Sequence, residues 1–119
     1  MSYLSPAEAE AEYQVFLTAL SEQRPVWALR NDDGWATWAV EEDEPRIVPF
    51  WSTRERAQSG AAVFAGYEPE QVSAQEFLAD WLPALRDRGL FIGVNLNAAM
   101  AGLDVAPDEL LRELGDHGD

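Results

Sequence analysis

Carboxylates are the reactive side chains this chain holds in number. It has 22 Asp and Glu, a single His and no Cys, and its eight basic residues are all Arg, because Lys is absent. Without Cys there can be no disulfide, thiolate metal site or Cys nucleophile. Without Lys there can be no Schiff base and no P-loop lysine. His117 lies at the C-terminal end beside Asp116 and Gly118, where no rigid scaffold is expected to hold a general base, so triads and His-bearing zinc sites have no members to assign.

Hydrolysis by paired carboxylates survives this elimination, and it needs two of them facing across a cleft about 5–9 Å wide. Asp80 beside Trp81 and Glu76 beside Phe77 are the two candidates for an apolar setting, and helical periodicity turns both outward. Asp32, Asp33 and the run Glu41, Glu42, Asp43, Glu44 could gather a hard cation, but EF-hand spacing is missing and turns favour Asp in any case. No metal is expected. Gly89, Gly93 and Gly102 fall in no dinucleotide or P-loop pattern, so no nucleotide cofactor is expected either.

Aromatic rings are the second resource. Trp81, at helical spacing, and Trp27 read as core. Trp35, Trp38 and Trp51 flank a hairpin and a strand end next to the acidic run. Two-sided burial is one account of them. The other is an aromatic patch rimmed by Asp and Glu, suited to a basic partner whose guanidinium groups stack on rings and pair with carboxylates.

The charge is −14 and unevenly placed. Residues 32–44 hold six acids and no base, and residues 104–119 hold six acids and only Arg112, whereas residues 45–89 set six acids against five Arg. Such a surplus repels phosphate backbones and anionic lipid, so nucleic acid and membrane surfaces are poor partners and a basic protein is a better one. The N-terminal stretch has no cationic start followed by an apolar run, and no segment reaches the 18 or so apolar residues of a span. A cytoplasmic, single-domain chain over residues 1–114 with a disordered acidic tail at 115–119 is expected.

Three Ser-x-x-Glu boxes mark the helices that must position these groups, at Ser5, Ser52 and Ser73, because a serine hydroxyl can accept the N3 amide while the glutamate reaches back. They predict helices over 6–22, 53–64 and 74–88, the last kinked by Pro83 and closed by Gly89. Tyr13, Phe16, Leu17 and Leu20 form the inner stripe of the first. VWALRN, the turn through Asp32-Asp33-Gly34, and WATWAV predict a hairpin. IVPFW predicts a third strand, on an edge or bulged because of Pro49. Gln71 and Val72 read as a short strand or extended link, LFIGVNLN as a buried strand, and AAMAGLDVA as irregular. Pro107 opens a last helix through Leu114, with Leu110, Leu111 and Leu114 facing in. The fold expected is α/β (α+β): one mixed sheet of four or five strands with helices packed on it, in the order α-β-β-β-α-(β)-α-β-α, with right-handed last connections.

In PFWSTRERA the strand must stop at Trp51 if Ser52 caps the next helix. Trp51, Ser52 and the start of that helix then meet Asn95, the end of a neighbouring strand, on one rim where α/β sheets hold ligands. Arg54 and Arg56, two apart, cannot face the same way. Either Arg54 points into that rim or both pair with local acids.

The order Pro49-Phe50-Trp51-Ser52, Arg54, Arg56 and Ala57, then Phe77 with Trp81-Leu82-Pro83 and Leu85, then Gly89 with Gly93-Val94-Asn95, resembles the bacterial DUF2750 family of unknown function, over nearly the whole chain. Leu96 departs from it where an aromatic is expected. The strand ending in an aromatic and Ser, with a later strand ending in Asn, is more remotely similar to the SseB N-terminal domain and to polymorphic-toxin immunity proteins. The resemblance implies a non-enzymatic bacterial domain. A protein-interaction module, immunity-like, presenting an acidic and aromatic face to a basic partner is the leading expectation. A small-ligand site around Trp51, Ser52 and Asn95 is the alternative, and a minor carboxylate hydrolase the third.

Overall fold

A computed structural model describes residues 6–37, 46–62, 64, 66–96 and 102–117. Helix α1 spans Pro6–Ser21 and buries Tyr13, Phe16, Leu17 and Leu20, as its periodicity requires. Strand β1, Val26–Asn31, and the two-residue β2, Gly34–Trp35, form the hairpin. The Asn31 side chain accepts the backbone N–H groups of Asp33 and Gly34, fixing the turn. β2 is far shorter than the WATWAV run, and Trp38 and Val40 lie outside the described residues.

Strand β3, Ile47–Phe50, runs parallel to β5, Phe91–Val94. Proline is tolerated in β3 because the strand lies at the edge of its sheet. Helix α2, Arg54–Ala61, follows, then β4, Glu68–Val72, which pairs antiparallel with the full length of β1. A strand missed in the irregular-looking AAMAGLDVA, β6 at Leu103–Val105, pairs antiparallel with β5.

The class is the mixed α and β one expected. The single sheet is corrected: two three-stranded sheets, β2-β1-β4 and β3-β5-β6, are stitched by one antiparallel bridge between Trp27 and Trp51. The free edge of β1 is thus shared, with β2 pairing its end and Trp51 its beginning.

The third helical run begins with α3, Ala74–Glu76, capped by the Ser73 hydroxyl. It widens into a π turn over Phe77–Trp81 and resumes as α4, Leu82–Asp87. The expected kink takes this form because Pro83 has no amide to give Ala79, and the amide of Leu82 reaches back five residues to the Phe77 carbonyl. Gly89, at φ 69°, ends the run. Its N–H donates to the Arg86 carbonyl, and that of Leu90 to Leu85, the paired bonds of a Schellman cap.

Helix α5 spans Pro107–His117, beyond Leu114 and into the expected tail. Leu110 is sealed, but Leu111 is 40 % exposed and does not face in.

One core lies between α1, the third helical run and the inner sheet faces, with Phe16, Phe50, Phe77 and Trp81 in edge-to-face contact. A second, smaller core holds Leu29, Trp51 and Ala57 beneath α2. β1 faces both, Val26 and Ala28 toward the first and Leu29 toward the second, so its continuous apolar run is two-sided burial.

Candidate functional site

Trp51 is not a surface group. Its ring is fully buried, its indole N–H donates to the Leu96 carbonyl at 2.8 Å, and its backbone N–H and C=O pair with those of Trp27 at 2.8 Å each. The ring lies on Gly60 so closely that a Cβ there would come within 2.3 Å of it. Gly60 is therefore a packing requirement and not merely a weak helix residue.

Ser52 does not cap α2 either. The cap is Thr53, extended at φ −139°, ψ 158°, whose hydroxyl accepts the Arg56 amide at 3.2 Å. Ser52 is held one residue earlier by Asn95, whose side-chain oxygen accepts the Ser52 amide at 2.7 Å. The Asn95 amide group also donates to the Ser52 hydroxyl and to the Glu12 carbonyl, both at 3.1 Å.

Glu12 closes the junction from α1 by taking the Arg56 guanidinium on both carboxylate oxygens at 3.1 Å. The predicted rim of Trp51, Ser52 and Asn95 does come together, but as an internal junction of α1, β3, β5 and α2. Ser52 and Asn95 are 8 % and 3 % exposed, and the polar atoms described there bond mainly to one another. Arg54 is exposed and lies over the Trp27 ring at 6.0 Å, outside that junction.

The acidic candidates separate differently. Asp32 and Asp33 are exposed at the hairpin tip, next to the equally exposed Glu68 and Glu70 of β4. Arg30, Asn31, Asp32, Glu68, Pro69 and Glu70 line an open groove of about 400 Å³. Arg30, its one base, stands 5.1 Å over the half-buried Trp35 ring, which itself packs edge-on against Trp81 at 4.7 Å. Trp35 thus serves core and surface at once. Trp38, Glu41, Glu42, Asp43 and Glu44 lie outside the described residues.

Sequence reasoning assigned no part to Glu68 and Glu70. The signal for them was available: a β-run containing Pro and alternate acids reads as an edge strand facing solvent. Among the described residues, no three His, Asp or Glu side chains are placed to hold a metal ion. No helix there is long and apolar enough to cross a membrane.

No curated protein and no solved structure matches the chain, so the remoter similarities to SseB and to immunity proteins gain nothing from these comparisons. A family model described as "Protein of unknown function (DUF2750)" matches residues 13–114, most of the 119-residue chain, and the chain belongs to that family.

Proposed function

We propose that this domain is a non-enzymatic, cytoplasmic interaction module that receives a basic segment of a protein partner in the groove at the hairpin end. The observation that carries the reading is the groove's charge. Asp32, Glu68 and Glu70 line it, Asp33 adjoins it, and Arg30 is drawn aside over Trp35. A guanidinium from the partner would pair with these carboxylates beside an exposed ring edge. An immunity-like role is the form this takes if the basic partner is a toxin.

The test is affinity capture from native lysate at low salt, with three proteins: the natural chain, D32N/D33N/E68Q/E70Q, and E55Q/E76Q/D80N/D87N, which removes the same charge elsewhere. The expected outcome is a basic partner lost with the first variant, kept with the second, and lost again at high salt, where exposed pairs are screened. Equal capture by both variants overturns the reading.

A second reading, a small-ligand site, is favoured by one observation. Ser52 and Thr53 border an open groove of about 290 Å³ with Val15, Thr18 and Arg24. Enlarging Thr18 to Trp would fill that groove and abolish binding of such a ligand without touching the hairpin, which a thermal-shift screen of small metabolites against the natural chain and T18W would register.

A further inference from the structure

Strand β4 is the outer strand of its sheet, paired on one side only, with β1. The bonds of Trp27 fix which of its backbone groups are free. Trp27 exchanges both backbone bonds with Trp51, so in an antiparallel ladder Val26, Ala28 and Arg30 are the residues that face β4 and bond to Val72, Glu70 and Glu68. The backbone groups of Pro69 and Gln71 then point away from β1, along the open edge. Pro69 has no N–H to offer. What remains is the Pro69 carbonyl and the N–H and C=O of the exposed Gln71, and none of these three groups is bonded to a described residue.

Glu68 and Glu70 flank this edge, two residues apart and therefore on one face of the strand. Both are exposed, and neither forms an ion pair among the described residues. Arg30 stands opposite Glu68 across the ladder but is turned over the Trp35 ring. Edge and acids make one feature, because Glu68, Pro69 and Glu70 also line the groove of about 400 Å³. A second copy of the chain is a poor occupant, since it would bring its own acids and its own proline to the edge, the devices by which sheets avoid pairing with themselves. A strand with basic residues at alternate positions is the match. It supplies backbone partners to Pro69 and Gln71 and cations to Glu68 and Glu70 in a single register.

We propose that the basic segment taken up at the hairpin end binds as an added antiparallel strand on β4, its alternate arginine or lysine side chains paired with Glu68 and Glu70. This rests on the groove reading and adds to it the backbone conformation and the charge spacing of the partner. In antiparallel addition the residues opposite Pro69 and Gln71 turn their amides to β4, and the basic residues opposite Glu68 and Glu70 turn theirs to water.

The experiment titrates the full ¹⁵N-labelled chain with a nonapeptide of alternating arginine and threonine and follows amide hydrogen exchange. In the free chain the Gln71 amide should exchange freely, whereas those of Glu70 and Val72, bonded to β1, are protected. Saturating peptide should slow exchange at Gln71 by about tenfold or more. Methylating the threonine amides of the peptide should weaken binding roughly tenfold, and methylating the arginine amides should leave it within about twofold. Exchange at Gln71 that saturating peptide does not slow, or equal affinity of the two methylated peptides, overturns the added strand while leaving the groove reading intact. D32N/D33N/E68Q/E70Q should bind the unmodified peptide roughly tenfold more weakly. Undiminished binding by that variant, or no saturable binding by the natural chain, overturns the groove reading and the added strand together.

Discussion

Asn95 bonds three groups with one side chain and does so at φ 46°, in the left-handed region. Asn tolerates that conformation better than most residues because its short polar side chain can bond locally. Asn95→Ala strands the buried Ser52 amide, so it should cost about 1–3 kcal/mol in urea denaturation. Asn95→Gly should recover about 1 kcal/mol of that through backbone relief. Equal loss in the two would mean that the conformation is unstrained. The sequence grouped Trp51, Ser52 and Asn95 correctly, and the fold joins them by hydrogen bonds within the chain. A large ring and a polar amide at strand ends suit a ligand or the chain itself equally, and only burial distinguishes them. Tyr13 was legible as core, whereas the surroundings of its hydroxyl depend on the acids that α5 places opposite, Glu113 and Glu109. Because its folded pKa is raised above the unfolded value near 10, it contributes stability below that pH which is lost as pH rises past it. Relative to Tyr13→Phe, the natural chain should lose up to about 1.4 kcal/mol per pH unit more above pH 10. Parallel stability curves for the two would show that the ring is free to ionise in place.

Helix ends carry most of what was legible at the level of elements. Ser73 caps α3 as its box predicts. The box at Ser52 slips by one residue because Thr53 offers an equivalent hydroxyl and Asn95 claims Ser52 first. Local chemistry names the candidates there, and a long-range bond chooses between them. β6 was hidden because three residues are too few for an alternation to register, and pairing with β5 supplies what propensity does not. Gly89 is the clearest case of a readable stop. Nothing lies within 4 Å of a Cβ built on it, so its φ of 69° is the sole reason for glycine. Gly89→Ala should therefore cost about 1–2 kcal/mol in chemical denaturation, and Gly89→Asn distinctly less. An equal cost for Asn and Ala would point to crowding in place of backbone conformation.

At the scale of the whole molecule, a charge of −14 sits on a body whose Cα radius of gyration is 13.2 Å. That radius is comparable to the screening length of about 10 Å at 0.1 M salt and far longer than the roughly 3 Å at 1 M. Acids on different faces therefore repel one another at low salt and cease to at high salt. The opposing attractions are modest. Arg24–Glu22 and the Arg86 pairs are exposed, and Arg56–Glu12 is partly so, which puts each at about 1 kcal/mol or less. Repulsion should win, and raising sodium chloride from low to about 0.5 M should stabilise the fold by roughly 1–2 kcal/mol, a rise of several degrees in Tm by calorimetry. Association with a basic partner should weaken over the same range, so folding and binding respond to salt with opposite signs. A Tm that falls as salt is added would place the net electrostatic balance on the side of the ion pairs, and the surplus charge would then have to be regarded as fully accommodated by the fold and not as held available for a partner.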